Sequence, residues 1–251
     1  MNYLNKVYKN YQTIIKKNAH KVIIFNPTLI IKNDPNYHFL KHTKTSKKIK
    51  VLDLGAGTGG LTSLLADVNN IMQLDAVEKS SEQIKILKEK CFDCNFNIHQ
   101  IDIFEFLKKT NDSSYDLIYL IDVLEHFDMD NVFKLIGEIN RILTSDGKFV
   151  CRVPNMISPF SSIFSYGDIT HLSHFSPDSL SQIILSHSFH KIKIEPDPII
   201  SSRPLFGLIR FLFAFVVSLI IKYSYLLVIG KKVGPYSSNF VLITQKTANR
   251  F

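Results

Sequence analysis

The sequence predicts an α/β fold: a doubly wound, mostly parallel sheet with helices on both faces. Three observations carry this. Short apolar runs alternate with segments of helical spacing across residues 49–153. A glycine-rich turn, Asp53-Leu54-Gly55-Ala56-Gly57-Thr58-Gly59-Gly60, joins the first apolar run to the first helical segment. Acidic residues then recur where successive runs end, at Glu78, Asp102 and Asp122.

The elements follow in order. IKVLDL, 49–54, is a continuous apolar run that stops at glycines, as a strand buried on both faces does. GLTSLLADV, 60–68, has helical spacing, and MQLDAV, 72–77, is the second strand. Ser80 and Ser81 can cap SEQIKILKEK, because a serine hydroxyl accepts from the free N–H groups of a first turn. NFNIHQ, 95–100, is a third strand, FEFLKK a short helix, and YDLIYLID, 115–122, a strongly apolar fourth strand. MDNVFKLIGEINRIL, 129–143, repeats its apolar residues at three and four. Ser145-Asp146-Gly147 reads as a turn before a fifth strand, KFVCRVP. Ser176-Pro177-Asp178 opens a further helix with proline at its first position. HKIKIEP, 190–196, and NFVLITQK, 239–246, are late strands.

The division into segments follows: a basic helical segment at 1–48, a core at 49–200, an apolar helical insertion at 201–238, and a last strand and tail at 239–251. Charge divides the same way. Residues 1–50 are net +10, residues 51–200 net −9 and residues 201–251 net +7. An acidic core between basic flanks is not the pattern of a nucleic-acid module, whose charge gathers on its binding face. It suits an enzyme whose ends meet something anionic, a membrane surface or a phosphorylated acceptor. Three cysteines and no apolar run at the start argue for a reduced, cytoplasmic compartment.

The glycine turn carries the most chemistry. It lets the backbone approach a ligand closely, and the helix behind it presents free N–H groups. Gly55, Gly57 and Gly60 satisfy GxGxxG, a weak signal alone. Glu78, 19 residues after Gly59, stands where an acid can accept both hydroxyls of a ribose. Asp102 stands where a carboxylate can receive an adenine amino group. With Asp53 and Asp122, four acids collect at the carboxyl edge of the sheet, where ligands of such folds bind. That crevice suits a ligand with positive charge, whereas a dinucleotide pyrophosphate would be repelled by Asp53.

VLDLGAGTGG, AVEKS, IDIF, YDLIYLIDVLEHF and RILTSDGKFVCRVPN together resemble the successive motifs of class I S-adenosylmethionine-dependent methyltransferases, over residues 45–195. The resemblance implies a Rossmann-like seven-stranded sheet and S-adenosyl-L-methionine as cofactor. It implies cofactor contacts at Asp53, Gly55, Ala56, Gly57, Thr58 and Gly59, then at Glu78, Lys79, Asp102, Ile103 and Asp122. It also places His126 close to the cofactor. RVPNMISPF, SYGDITHLSHFSPDSL and the apolar stretch before NFVLITQK are similar to methyltransferases of bacterial surface-polysaccharide biosynthesis. That narrower likeness implies O-methylation of a sugar or sugar-linked group, with a small-molecule or lipid-linked sugar as acceptor. A small lipid or quinone-like acceptor, a nicotinamide-dependent oxidoreductase and an inactive subunit are the other readings.

A sugar hydroxyl must lose its proton to attack a methyl group, and His171 is the expected general base. Asp168, three residues earlier, would orient it, and His174 is the second choice. No metal is expected. Cys91 and Cys94 have zinc-knuckle spacing but lack a second pair, and Asp128 and Asp130 suit a helix cap better than a magnesium site. The stretch 205–229 is apolar but contains Arg210 and Lys222, and strands on both sides of it must share one sheet. It is expected to contact a membrane peripherally, or to pack as a lid or homodimer surface, rather than to span.

Overall fold

A computed structural model describes residues 21–22, 29–32, 34–91, 96–230 and 233–247. In chain order the elements are β1 (Lys21–Val22), β2 (Leu29–Ile31), a 3-10 helix (Tyr37–Thr43), β3 (Ile49–Leu54), α1 (Gly60–Ala66), β4 (Ile71–Glu78), α2 (Ser81–Lys90) and β5 (Asn97–Gln100). Then come α3 (Ile103–Lys109), β6 (Tyr115–Ile121), a 3-10 turn (Leu124–His126), α4 (Met129–Ile142), β7 (Leu143–Pro154) and α5 (Ser162–Ser165). Finally come α6 (Pro177–Leu185), β8 (Phe189–Pro196), β9 (Ile199–Ser201), α7 (Pro204–Ile229) and β10 (Asn239–Lys246).

The main sheet runs β1-β8-β10-β7-β6-β3-β4-β5. β3 to β7 are mutually parallel, and β10 lies antiparallel between β7 and β8. The seven strands β3 to β8 and β10 form the doubly wound sheet the sequence implied, and β1 adds an eighth edge pairing. Both faces are covered, which is why the strands read as unbroken apolar runs. Leu52 and Leu54 point into one cluster with Ile118, Leu120 and Phe149; Val51 points into the other with Leu117, Tyr119 and Val150.

Local signals behave as short-range chemistry requires. Ser80 caps α2 by accepting from Gln83 N, and Asp128 caps α4 by accepting from Asn131 N. Ser176 and Ser179 form a reciprocal capping box on α6. The turn at Ser145-Asp146-Gly147 sits inside β7 rather than before it. Asp146 takes φ +62°, and the β6–β7 register skips from Tyr115↔Leu143 to Leu117↔Lys148.

The amino-terminal segment, expected to be a helical unit, differs over its described residues. It gives two strands and a 3-10 helix, and residues 1–20 lie outside those described. β2 pairs with β9 in a small parallel sheet, and Tyr119 Oη donates to Phe39 O at 2.9 Å from within the core. The boundary drawn at 48/49 therefore cuts through paired structure: these residues are held by β8, β9 and β6.

α7 is one continuous helix of 26 residues, about 39 Å long, and is long and apolar enough to cross a membrane. Only 6% of its most apolar stretch is buried. It lies against the body at both ends: Arg210 donates to Ile200 O at 3.3 Å, and Tyr225 donates to Ile157 O at 3.2 Å. Those contacts are about 22 Å apart along the axis, so the helix runs alongside the domain rather than away from it.

Candidate active site

A cleft of about 770 Å³ opens at the carboxyl edge of β3, β4, β5 and β6. Its floor is the glycine turn. Gly55 has φ +74°, and a Cβ there would stand 2.5 Å from Val123 Cγ2, so no side chain fits. The Gly55 and Ala56 N–H groups donate to Val77 O at 2.8 and 3.0 Å, which ties the turn to β4. Gly57 N donates to Glu78 Oε2 at 3.1 Å and Ser80 N donates to Oε1 at 2.8 Å. Each Glu78 oxygen keeps a second lone pair for a ligand. Asp102 lines the cleft while capping α3, accepting from Phe104 N at 2.8 Å. Asp53 is buried and takes one short hydrogen bond, from Thr62 Oγ1 at 2.6 Å. Burial pushes its carboxyl up to about 6; the Thr62 bond opposes the rise and the Glu78 charge adds to it.

Strand order lays these groups out as a track. Asp102 follows β5, Glu78 ends β4, Asp53 lies on β3 and Asp122 follows β6. Beyond Asp122 the cleft is walled by Arg152, His126 and Thr170. Arg152 Nε donates to Asp122 Oδ1 at 2.8 Å, and a second guanidinium nitrogen donates to Asp122 Oδ2. Arg152 also stands 3.8 Å from Asp197 and stacks over Phe39. Asp122 thus lines the cleft as a neutralised partner rather than as a free charge. Its backbone, at φ +55°, is also one that side chains rarely adopt.

Ten of the eleven cofactor residues expected from sequence line this cleft: Asp53, Gly55, Ala56, Gly57, Thr58, Glu78, Lys79, Asp102, Ile103 and Asp122. Gly59 does not. Its φ is +77° and a Cβ would stand 2.7 Å from Leu87 Cγ, so it serves the close approach of α1 to α2.

The expected catalytic group is rearranged. His171 is not part of the lining; its ring packs edge-on against His126, centroids 4.8 Å apart, and His126 faces the cleft in its place. His174 is exposed and packs on Tyr166, away from the cleft, so the second choice of base is not placed to act. Asp168 does not hydrogen-bond His171, whose Nε2 lies 4.0 Å from Oδ2. It accepts from Thr170 Oγ1 at 2.7 Å and from Thr170 N at 2.9 Å. Thr170 Oγ1 in turn meets His126 Nδ1 at 2.9 Å.

Arg152 and Thr170 were not expected at the site. RVPN carried a basic residue in an otherwise apolar strand, and that was the available signal for Arg152. Of the residues weighed as metal ligands, Cys94 lies outside the described residues and Asp128 is the helix cap it was expected to be.

Residues 31–192 match the family described as a methyltransferase domain. The chain belongs to that family. A SAM dependent methyltransferase from Archaeoglobus fulgidus shares the fold, with a TM-score of 0.63 over 84% of this chain and 92% of that one, at 22% identity. Phosphoethanolamine N-methyltransferase 2 of Haemonchus contortus, solved with S-adenosyl-L-methionine, gives 0.58 over 85% of this chain and 52% of that one, at 18% identity. Family and fold together make this a methyltransferase domain, and the cleft its candidate cofactor site. The residues present fit S-adenosylmethionine, the cofactor this fold family implies: a floor without side chains at Gly55, open carboxylate lone pairs at Glu78, and an under-bonded Asp53. Polyamine aminopropyltransferases of Prochlorococcus marinus are 33% identical over 132 residues, 47% of this chain and 46% of theirs. The chain spans about half the length of these curated relatives.

Proposed function

We propose that this protein transfers a methyl group from S-adenosylmethionine to a hydroxyl oxygen of a sugar carried on a lipid. The observation that carries the reading is the acceptor end of the cleft, where His126 faces in and Asp122 and Asp197 are already paired with Arg152. Bound S-adenosylmethionine supplies a methyl group activated as a sulfonium. The chain's residues must hold it, exclude water, bring the acceptor oxygen into line and receive or relay its proton.

Glu78 and Asp102 hold the ribose and adenine ends by their position on the track, which directs the methyl group toward β6. His126 is prepared for proton chemistry. Thr170 Oγ1 has one proton, and the Asp168 carboxylate can only accept, so that proton points to Asp168. The Thr170 oxygen then accepts from His126 Nδ1–H, which leaves Nε2 with a free lone pair. A polycationic acceptor finds little here, because Asp122 and Asp197 are both engaged by Arg152. A neutral, hydroxyl-bearing acceptor fits better.

The lipid part of the reading comes from α7. An apolar cavity of about 380 Å³ lies between this helix and the body, lined by Phe213, Val217, Phe160 and Tyr236. Asp197 lines it too, and Asp197 touches Arg152 of the cofactor cleft. An acceptor with its tail under α7 would present its head group near His126. Arg203, Arg210 and Lys222 lie on or beside α7, and residues 201–251 contain no acid, which favours an anionic lipid surface on the cytoplasmic side.

The test is a mass screen with S-adenosylmethionine and three acceptor sets: lipid-linked sugars, nucleotide-linked sugars and polyamines. One added methyl on a lipid-linked sugar is the expected result. Methylation of only the nucleotide-linked set removes the lipid, and a product from polyamines alone overturns the reading. Flotation with anionic and neutral liposomes checks α7 separately; a soluble dimer with no lipid association would assign the helix to a second copy.

A further inference from the structure

We propose that Glu125, His126 and His171 form a divalent-cation site at the acceptor end of the cleft, supported from behind by Asp168. One ligand atom from each of the three lies within 4.8 Å of the others. Two of those side chains carry a buried polar atom that nothing satisfies. Glu125 is 2% exposed and its Oε2 has no hydrogen-bond partner; the His171 side chain is 9% exposed and its Nδ1 has none. A buried acceptor left unpaired is costly, and two orphans side by side are unusual unless something binds between them. A cation accepts from both at once.

The surrounding hydrogen bonds orient His126 and hold the loop that carries His171. His126 donates through Nδ1 to Thr170 Oγ1, as the Asp168–Thr170 bond requires, so its Nε2 lone pair is open. His171 Nε2 stands 4.0 Å from Asp168 Oδ2, beyond hydrogen-bond range, and its Nδ1 has no partner, so that nitrogen is available to a cation. Asp168 thus sets the tautomer of His126 through Thr170, as outer carboxylates do for metal-binding histidines. The backbone fixes the rest. Leu172 N and Ser173 N both donate to Glu125 O, at 2.8 and 3.0 Å, and so staple the His171 loop to the residue before His126. The Glu125-His126 pair and His171, from two segments distant in sequence, are thus held side by side.

Two imidazoles and one carboxylate suit a first-row transition ion such as Mn²⁺ or Zn²⁺ rather than Mg²⁺ or Ca²⁺, which prefer oxygen. Bonds of about 2.1 Å at tetrahedral angles put ligand atoms roughly 3.4 Å apart, so the side chains would draw in by about an ångström on binding. Three protein ligands leave coordination positions open, and His126 turns them toward the cleft. If the acceptor is a hydroxyl, the cation would bind that oxygen and ease loss of its proton. This role rests on the O-methylation reading; binding of the cation does not.

The test uses the full chain and Mn²⁺ alone. Calorimetry should find one Mn²⁺ per chain, and electron spin-echo spectra should show imidazole nitrogen coupling. Glu125→Gln and His171→Ala should each weaken binding on the order of a hundredfold, with the nitrogen signal reduced in His171→Ala. Asp168→Asn should weaken it roughly 10–100-fold through the His126 tautomer. S-adenosylhomocysteine affinity, unchanged in each, shows that the fold persists. If Glu125→Gln does not fold, His171→Ala decides. No saturable Mn²⁺ binding by the wild type, or wild-type affinity in His171→Ala, overturns the site. Mn²⁺ binding without any methylated sugar would sink the acceptor and leave the site standing. A methylated sugar without Mn²⁺ binding would do the reverse.

Discussion

Asp53 and Asp75 sit on adjacent strands, one residue out of step across the β3–β4 ladder, and each is 2% exposed. They have opposite chemistry. Asp75 accepts from Gln73 at 2.6 Å, His99 at 2.7 Å, Asn97 at 3.0 Å and Tyr115 at 3.0 Å. Burial pushes its carboxyl up, but the bonds from His99, Gln73, Asn97 and Tyr115 together outweigh burial and hold it below its usual range. Asp53 has Thr62 alone, and burial wins. Equal burial therefore does not mean equal role. Asp75 is a satisfied joint between β4, β5 and β6. Asp53 faces the cofactor cleft with bonding capacity left over, as an acid awaiting a ligand should.

The sharpest way to break this comparison is Asp75→Ala, which strands four donors around a hole. We expect about 3–5 kcal/mol lost in urea unfolding, with S-adenosylhomocysteine affinity kept by whatever remains folded. A loss below about 1 kcal/mol would show that the four bonds are not cooperative. Glu78→Ala, beside Asp53, should leave the fold intact and weaken S-adenosylhomocysteine binding on the order of a hundredfold, since two charge-assisted bonds to ribose go. An unchanged Kd would remove Glu78 from the cofactor site.

Asp53→Asn tests the other half through pH. The folded carboxyl, near 6, holds its proton more tightly than the unfolded one near 3.8. Its contribution is therefore most favourable below pH 3.8 and is lost as pH rises to about 6, up to ~3 kcal/mol in all. The stability of Asp53→Asn relative to wild type should rise across that window and then level off. A flat difference between pH 4 and pH 7 would mean that Asp53 is ionised throughout. The smallest effect is Tyr115→Phe, which removes one of the four Asp75 bonds and should cost about 1 kcal/mol.

The fold was largely legible because its signals are local. Apolar runs buried on both faces, the serine and aspartate caps and the glycine turn each act within a few residues. Most strand bounds shifted little from the expected ones; β7 instead begins at Leu143, taking in the turn at Asp146, and β9 had no expected counterpart. That the expected cofactor residues line one cleft was legible for a related reason: in a doubly wound sheet, the residue that ends each strand faces the same crevice. Gly59 was the exception, since a glycine required by helix packing looks the same in sequence as one required by a ligand.

The acceptor half was not legible. His171 and Asp168 were expected to act together at the cleft, but neither lines it; Thr170, which meets His126 across 44 positions of chain, stands there instead. Asp122 looked like a free acid until Arg152, from the neighbouring strand, took both its oxygens.

By itself the sequence determined the alternation of strands and helices, where they start and stop, and the track of acids along the strand ends. Periodicity, capping and positive-φ turns are short-range requirements written residue by residue. Only the tertiary structure decided which acids are neutralised, which histidine faces the cleft, and how the amino-terminal segment and α7 lie against the body. Those outcomes depend on which strand neighbours which and on where a long loop is stapled back, as Glu125 O holds residues 172 and 173. A hydrogen bond between distant residues leaves no periodic trace in either of them.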